Sequence, residues 1–165
     1  NLEVEEDHSF CGESVCFKNC HPRDAIAMSW LAKKLNLSYD IYEKLLQCRE
    51  AQTRWLAEKC GADHIIVLGR AFKKNTNITT GSAAILLTEF LYDWESHDPY
   101  IDDESNKMPE DQVGVYFIAT EHDVIKKYKF PQGSVVFDPF RFIEPQIGVT
   151  LIQIGNNPYP HGDIK

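Results

Sequence analysis

From Gly61 onward the chain alternates short, β-branched apolar runs with stretches of helical spacing, and few folds tolerate that grammar. His64-Ile65-Ile66-Val67-Leu68 reads as a strand buried on both faces, followed by a loop over Gly69 to Gly81 and a helix from about Ser82 to Tyr92. Further strands are expected at Val113 to Ala119, Ser134 to Phe137 and Val149 to Ile154, with a helix from about Glu121 to Tyr128. A strand that is apolar throughout must be covered on both sides, and intervening helices supply the cover when strands run parallel. The expected fold is therefore α/β: a Rossmann-like parallel sheet of about five strands, preceded by a helical arm.

The arm begins with residues 1–21, an irregular segment with a cysteine loop and no sustained period. A helix starts near His21-Pro22-Arg23-Asp24, where the missing N–H of Pro22 costs nothing, and Ile26, Ala27, Trp30, Leu31 and Leu35 follow helical spacing. Asn36-Leu37-Ser38 interrupts it. Ser38 as cap and Asp40 as first-turn acid then open a long second helix that ends at Gly61. On it Ile41, Leu45, Cys48, Gln52 and Trp55 form a seam, which packs either on its own domain or on a second copy of the 38–60 helix as a homodimer. The expected organisation is 1–21 arm, 22–61 central helices and 62–165 sheet domain, with an acidic linker at Asp102 to Asp111.

Seventeen basic against 25 acidic side chains leave a net charge of −8 over 165 residues, so a phosphate backbone would be repelled and no nucleic-acid partner is expected. The longest apolar runs, Ile65 to Leu68 and Ala83 to Leu87, are far too short to cross a membrane. The acidic opening is not a secretory signal, and without an initiator Met the chain is expected to be part of something longer. Five cysteines, an odd count, fit reduced thiols in the cytoplasm, and the sequons at Asn36 and Asn77 then carry no meaning. His8, Cys11, Cys16, Cys20 and His21 lie close together, but their gaps of four, three and none make a poor zinc ladder, so no metal is expected.

The loop Gly69-Arg70-Ala71-Phe72-Lys73-Lys74-Asn75-Thr76 leaves its strand at the carboxyl end, where open α/β sheets place ligands. It lacks both glycine-rich phosphate fingerprints, so its residues alone indicate an anion-friendly loop or a pair of solvated lysines. This stretch resembles the opening of the C-terminal domain of the UDP-glucose/GDP-mannose dehydrogenase family, where Gly-x-Ala-Phe-Lys-x-x-Thr follows the first strand. Four more segments are similar to family motifs in the same order: Cys20-His21-Pro22-Arg23-Asp24 upstream, then His97-Asp98-Pro99-Tyr100, Ala119-Thr120-Glu121-His122 and Val136-Phe137-Asp138-Pro139-Phe140-Arg141. The likeness covers residues 10–155, and by it the long helix is similar to a dimerisation helix.

The resemblance implies an NAD-dependent, two-step oxidation of a nucleotide-sugar alcohol to a carboxylate through a Cys-bound thioester. Its acidic sugar products feed polysaccharide biosynthesis. Cys20 matches the nucleophile, Asp24 the carboxylate that assists proton transfer, and Arg23 stands where a Lys is common. Phe72, Lys73 and Arg141 match residues that hold the UDP-sugar. Two departures stand out: Phe17-Lys18 replace a Gly-Gly before the nucleophile, and Ile78-Thr79-Thr80-Gly81-Ser82 lacks an arginine near the cofactor. By the same resemblance the domain that binds NAD is expected to lie outside this chain, which alone is expected not to turn over substrate. Two readings follow: the nucleotide-sugar-binding part of a UDP-glucose 6-dehydrogenase-like enzyme, or a catalytically silent binding or assembly module derived from it.

Overall fold

The computed structural model describes residues 9–12, 15–18, 21–102, 108–109 and 111–154. Elements run β1 (Ser9–Gly12), β2 (Val15–Lys18), α1 (His21–Lys34), α2 (Ile41–Cys60), β3 (Ile65–Leu68), α3 (Ala83–Thr88), β4 (Trp94–His97), β5 (Val115–Ile118), α4 (Asp123–Lys126), β6 (Val135–Asp138) and β7 (Thr150–Gln153). The chain divides into two units after Gln52, not at the boundary near residue 61 that the sequence suggests. The reason lies in α2, whose last turns carry Ala57 and Cys60 into the core of the sheet unit.

In the first unit, the arm expected to be irregular holds β1 and β2 as an antiparallel pair, with Cys11 opposite Cys16. Phe10, Val15 and Phe17 favour extended backbone, but four-residue strands are too short to reveal a period. Helix α1 ends where Asn36 takes a positive φ of 50°, with Leu37 N–H donating to Ala32 O at 3.0 Å and Asn36 N–H to Lys33 O at 3.2 Å. That left-handed stop satisfies the last carbonyls.

Helix α2 begins at Ile41, three residues later than Ser38. Asp40 is its cap: Oδ1 accepts from Glu43 N–H at 3.0 Å, and Oδ2 accepts from the Ser29 hydroxyl at 2.6 Å. The buried line on α1 is Ala25, Ser29 and Ala32, while Ile26 and Trp30 are 57% and 60% exposed. On α2, Ile41, Leu45 and Trp55 are exposed too. The helical arm thus presents apolar surface that nothing among the described residues covers.

The second unit is a five-stranded, all-parallel sheet in the order β4-β3-β5-β6-β7. Alternate residues feed two cores. One face carries Ile66, Leu68, Tyr116, Ile118 and Val136 under Ile125, Phe130 and Ile143. The other carries Ile65, Val67, Phe117 and Phe137 against Ala57, Cys60 and Leu87. Both expected helices in this unit prove short. Tyr128 and Phe130, two residues apart, both pack on Tyr116 with ring centroids at 6.3 and 5.2 Å, which a continuing helix would forbid. Beyond α3, Phe90 and Leu91 N–H groups bond three residues back, tightening the chain into a turn before β4.

Candidate functional site

The second strand in sequence, β4, lies on one side of β3 and the third, β5, on the other. This is the topological switch point of the sheet, the end at which open α/β sheets place their ligands. The loop after β3 holds Phe72 and Lys73; the loop after β5 holds Thr120 and His122.

Gly69 starts the first loop at φ 90°. A Cβ there would lie 2.5 Å from Thr120 Cβ and 2.9 Å from Thr120 N, so only glycine lets the two loops touch. Thr120 completes the contact by donating its hydroxyl to Ala71 O at 2.8 Å. The close approach is spent on a neighbouring loop. A dinucleotide pyrophosphate needs such a glycine facing open space, and with no second glycine in residues 69–80 the loop does not fit NAD.

Asp98, fully buried after β4, gathers the loops. Its Oδ2 accepts the N–H groups of Arg70 at 2.6 Å and Ala71 at 2.9 Å and faces His122 Nε2 at 3.2 Å; its Oδ1 accepts Tyr100 N–H at 2.9 Å. Burial works to raise the carboxyl's pKa, but the bonds from His122, Arg70 and Tyr100 outweigh it and hold the value at about 2. Asp98 is therefore ionised. Behind it, the Arg70 guanidinium pairs with Asp102, whose Oδ2 accepts Asp98 N–H at 2.7 Å.

At the far end of the loop, Asn75 adopts φ 56° and donates its N–H to His122 Nδ1 at 2.8 Å. Its side chain bonds Asp123 Oδ2 at 2.7 Å and accepts from the Tyr100 hydroxyl at 3.0 Å. Phe72 and Lys73 are thus displayed between two anchored ends. Phe72 is half-buried, its N–H given to Ile78 O at 2.7 Å; Lys73 is exposed, its ammonium 6.0 Å from the Phe72 ring centroid.

Arg141 follows β6, two strand spacings or about 10 Å from β3 at the same end of the sheet. It too has a positive φ, 57°, and its Nε donates to Ile154 O at 3.2 Å. Asp138, ahead of it, accepts Phe140 N–H at 3.1 Å and Ile143 N–H at 2.9 Å, so strand-Asp-Pro-aromatic serves one structural purpose at both β4 and β6. An apolar hollow of about 220 Å³ adjoins the carboxyl ends of β5 and β6, between Leu56, Leu87, Phe117 and Phe140.

Phe72, Lys73 and Arg141 consequently share one sheet end. Arg23 and Asp24 lie in the first turn of α1 in the other unit, Arg23 exposed and Asp24 half-buried, with Arg23 Nε 3.7 Å from Asp24 Oδ1. Cys20 lies outside the described residues, as does His8 of the cysteine-histidine ladder. The roles of Asp98, His122 and Asn75 were not legible in sequence; the recurring Asp-Pro-aromatic after a strand was the available signal.

Solved structures share this architecture. The UDP-glucose dehydrogenase of the hyperthermophilic archaeon Pyrobaculum islandicum matches with a TM-score of 0.56 and 24% identity, over 80% of this chain and 36% of that one. A UDP-N-acetyl-mannosamine dehydrogenase from S. aureus matches with a TM-score of 0.55 and 12% identity, over 83% of this chain and 47% of that one. The likeness is one of fold. The chain spans about a third to a half of the length of these structures. No family model and no curated protein matches the sequence. No helix among the described residues is long and apolar enough to cross a membrane.

Proposed function

We propose that this chain is the nucleotide-sugar-binding part of an NAD-dependent UDP-sugar dehydrogenase, of the UDP-glucose/GDP-mannose dehydrogenase family, acting in the cytoplasm on the route to acidic polysaccharides. The observation that carries the proposal is the exposed Lys73, displayed on a loop anchored at both ends at the switch point of a fold shared with two UDP-sugar dehydrogenases. A diphosphate placed there meets the Lys73 ammonium on one side and the Arg141 guanidinium across the sheet end, two cations in an acidic chain. Phe72 offers a ring edge to the sugar.

Oxidation belongs to the complete enzyme, because the β3 loop is not shaped for a dinucleotide and NAD is held elsewhere. In that enzyme Cys20 is the nucleophile at the sugar carbonyl. In sequence it immediately precedes a 14-residue helix and stands three positions before Arg23, a context that favours the thiolate. Asp24 assists proton transfer. The exposed seam of α2 joins two copies as a homodimer, which would cover Ile41, Leu45 and Trp55.

The test is NADH formation from UDP-glucose by a protein that joins this chain to a dinucleotide-binding domain, wild type against Cys20→Ser, with mass spectrometry for a sugar adduct on the Cys20 peptide. Loss of NADH and of the adduct in the variant is expected. Full activity in the variant removes Cys20, and binding without any turnover by the wild type favours the silent module, the reading that Phe17-Lys18 in place of Gly-Gly supports.

A further inference from the structure

We propose that His122 is the positioning residue of the nucleotide-sugar loop, that it holds the loop only as a neutral imidazole, and that protonating it releases the loop and weakens ligand binding. This rests on the nucleotide-sugar role assigned above. The imidazole is fully buried, and its two nitrogens do different work. Nδ1 sits 2.8 Å from Asn75 N, whose hydrogen points at it, so Nδ1 must be the lone-pair nitrogen. The ring hydrogen is therefore on Nε2, 3.2 Å from Asp98 Oδ2.

That oxygen also receives Arg70 and Ala71 N–H. Both ends of the Phe72–Lys74 span hence hang on one imidazole–carboxylate pair, the near end through Asp98 and the far end through His122.

A second proton on His122 would go to Nδ1, setting two hydrogens against each other across 2.8 Å and ejecting Asn75 N–H. Asn75 is held at φ 56°, a region that a non-glycine residue occupies at a cost, so the freed residue has reason to relax. Three other groups face the ring. From the loop after β4 come the Asp98 carboxylate, its Oδ2 3.2 Å from Nε2, and the Tyr100 ring, its centroid 4.7 Å away. Asp123, next along the chain, is already engaged with Asn75 through Oδ2 at 2.7 Å and through its own N–H to Oδ1 at 3.2 Å. The Arg70–Asp102 pair stands one step behind Asp98. Whatever balance these set, each protonation costs the Asn75 bond, and Lys73 two residues earlier loses its fixed position.

The experiment follows the ¹⁵N resonances of the His122 ring and the Asn75 amide in the whole chain from about pH 8 to about pH 5, with UDP-glucose titrations at each pH. It compares wild type with His122→Asn, whose amide oxygen can take the place of Nδ1 but cannot titrate, and with His122→Phe, which offers no acceptor. Expected at neutral pH are the Nε2–H tautomer, a roughly tenfold loss of affinity in His122→Phe, and recovery of most of it in His122→Asn. As pH falls, wild-type affinity should drop in step with His122 protonation while His122→Asn stays flat. An Nδ1–H tautomer, equal losses in both variants, an affinity indifferent to His122 protonation, or a ring that stays neutral across the range would each overturn the proposal. If the wild type binds no UDP-glucose at any pH, the nucleotide-sugar role fails instead. The tether is then judged by the Asn75 amide alone, which must move with the titration of His122 in wild type and stay still in His122→Asn.

Discussion

Replacing Asp98 by Asn keeps the shape of the side chain and removes its charge, which isolates what the carboxylate contributes. Asp98 accepts three backbone N–H groups and faces the His122 Nε2–H. The best compromise for Asn puts its oxygen at the Oδ2 position, keeping Arg70, Ala71 and His122 as weaker bonds, and turns its NH2 against Tyr100 N–H. One donor is then stranded, at about 1–3 kcal/mol. Holding the carboxyl at about 2 against an ordinary 3.8 is itself worth roughly 2 kcal/mol at neutral pH. The total is roughly 3–5 kcal/mol at pH 7, a large part of the stability of a small domain.

The pH dependence gives the sign. Because the folded-state value is depressed, the ionisation contributes fully above about pH 4 and drains away as pH falls towards 2, with about half left at pH 3. Urea unfolding of wild type and Asp98→Asn, read by circular dichroism at pH 7 and pH 3, should show a gap of that size narrowing by roughly 1 kcal/mol in acid. A gap below about 1 kcal/mol at pH 7, or one that widens in acid, would refute the role given to Asp98.

Three further outcomes are expected. Gly69→Ala should lower the melting temperature by an amount equivalent to about 3 kcal/mol or more, since both the φ of 90° and the Thr120 backbone oppose a Cβ; an unchanged melting curve would show that the loops separate freely. Iodoacetamide followed by peptide mass spectrometry should leave Cys60 unmodified in the native chain and modify it on unfolding, because burial pushes the Cys60 thiol up to about 12; labelling of Cys60 in the native chain would contradict its packing against the sheet. Leu45→Glu with Trp55→Glu should convert a dimer to a monomer in sedimentation, and a monomeric wild type at high concentration would assign the α2 seam no partner copy.

The sheet was legible because Ile65 to Leu68 is apolar at every position, a pattern that a parallel central strand requires and few other settings allow. Trp94–His97 escaped the same pattern because an edge strand is covered on one side only and can read Trp-Glu-Ser-His. Helix limits were less legible. Ser38 and Asp40 are both plausible caps, and the choice fell to the Ser29 hydroxyl eleven residues away, a partner no local rule considers. The loop after β3 stood out as a motif, whereas its scaffold did not: Asp98, His122 and Asn75 come from three separate loops and meet only once the strand order is known. Apolar spacing marked one face on α1, yet the buried line there is Ala25, Ser29 and Ala32, since small residues are what close packing selects.

Calorimetric titration of the chain with UDP-glucose and with GDP-mannose, for wild type, Lys73→Ala and Arg141→Ala, bears most directly on the nucleotide-sugar role. Saturable one-site binding of a nucleotide sugar is expected, weakened by roughly 1.5–3 kcal/mol in Lys73→Ala, the scale of a charge-assisted hydrogen bond. A comparable loss is expected in Arg141→Ala. No saturable heat with either compound, or an affinity indifferent to both substitutions, would contradict it.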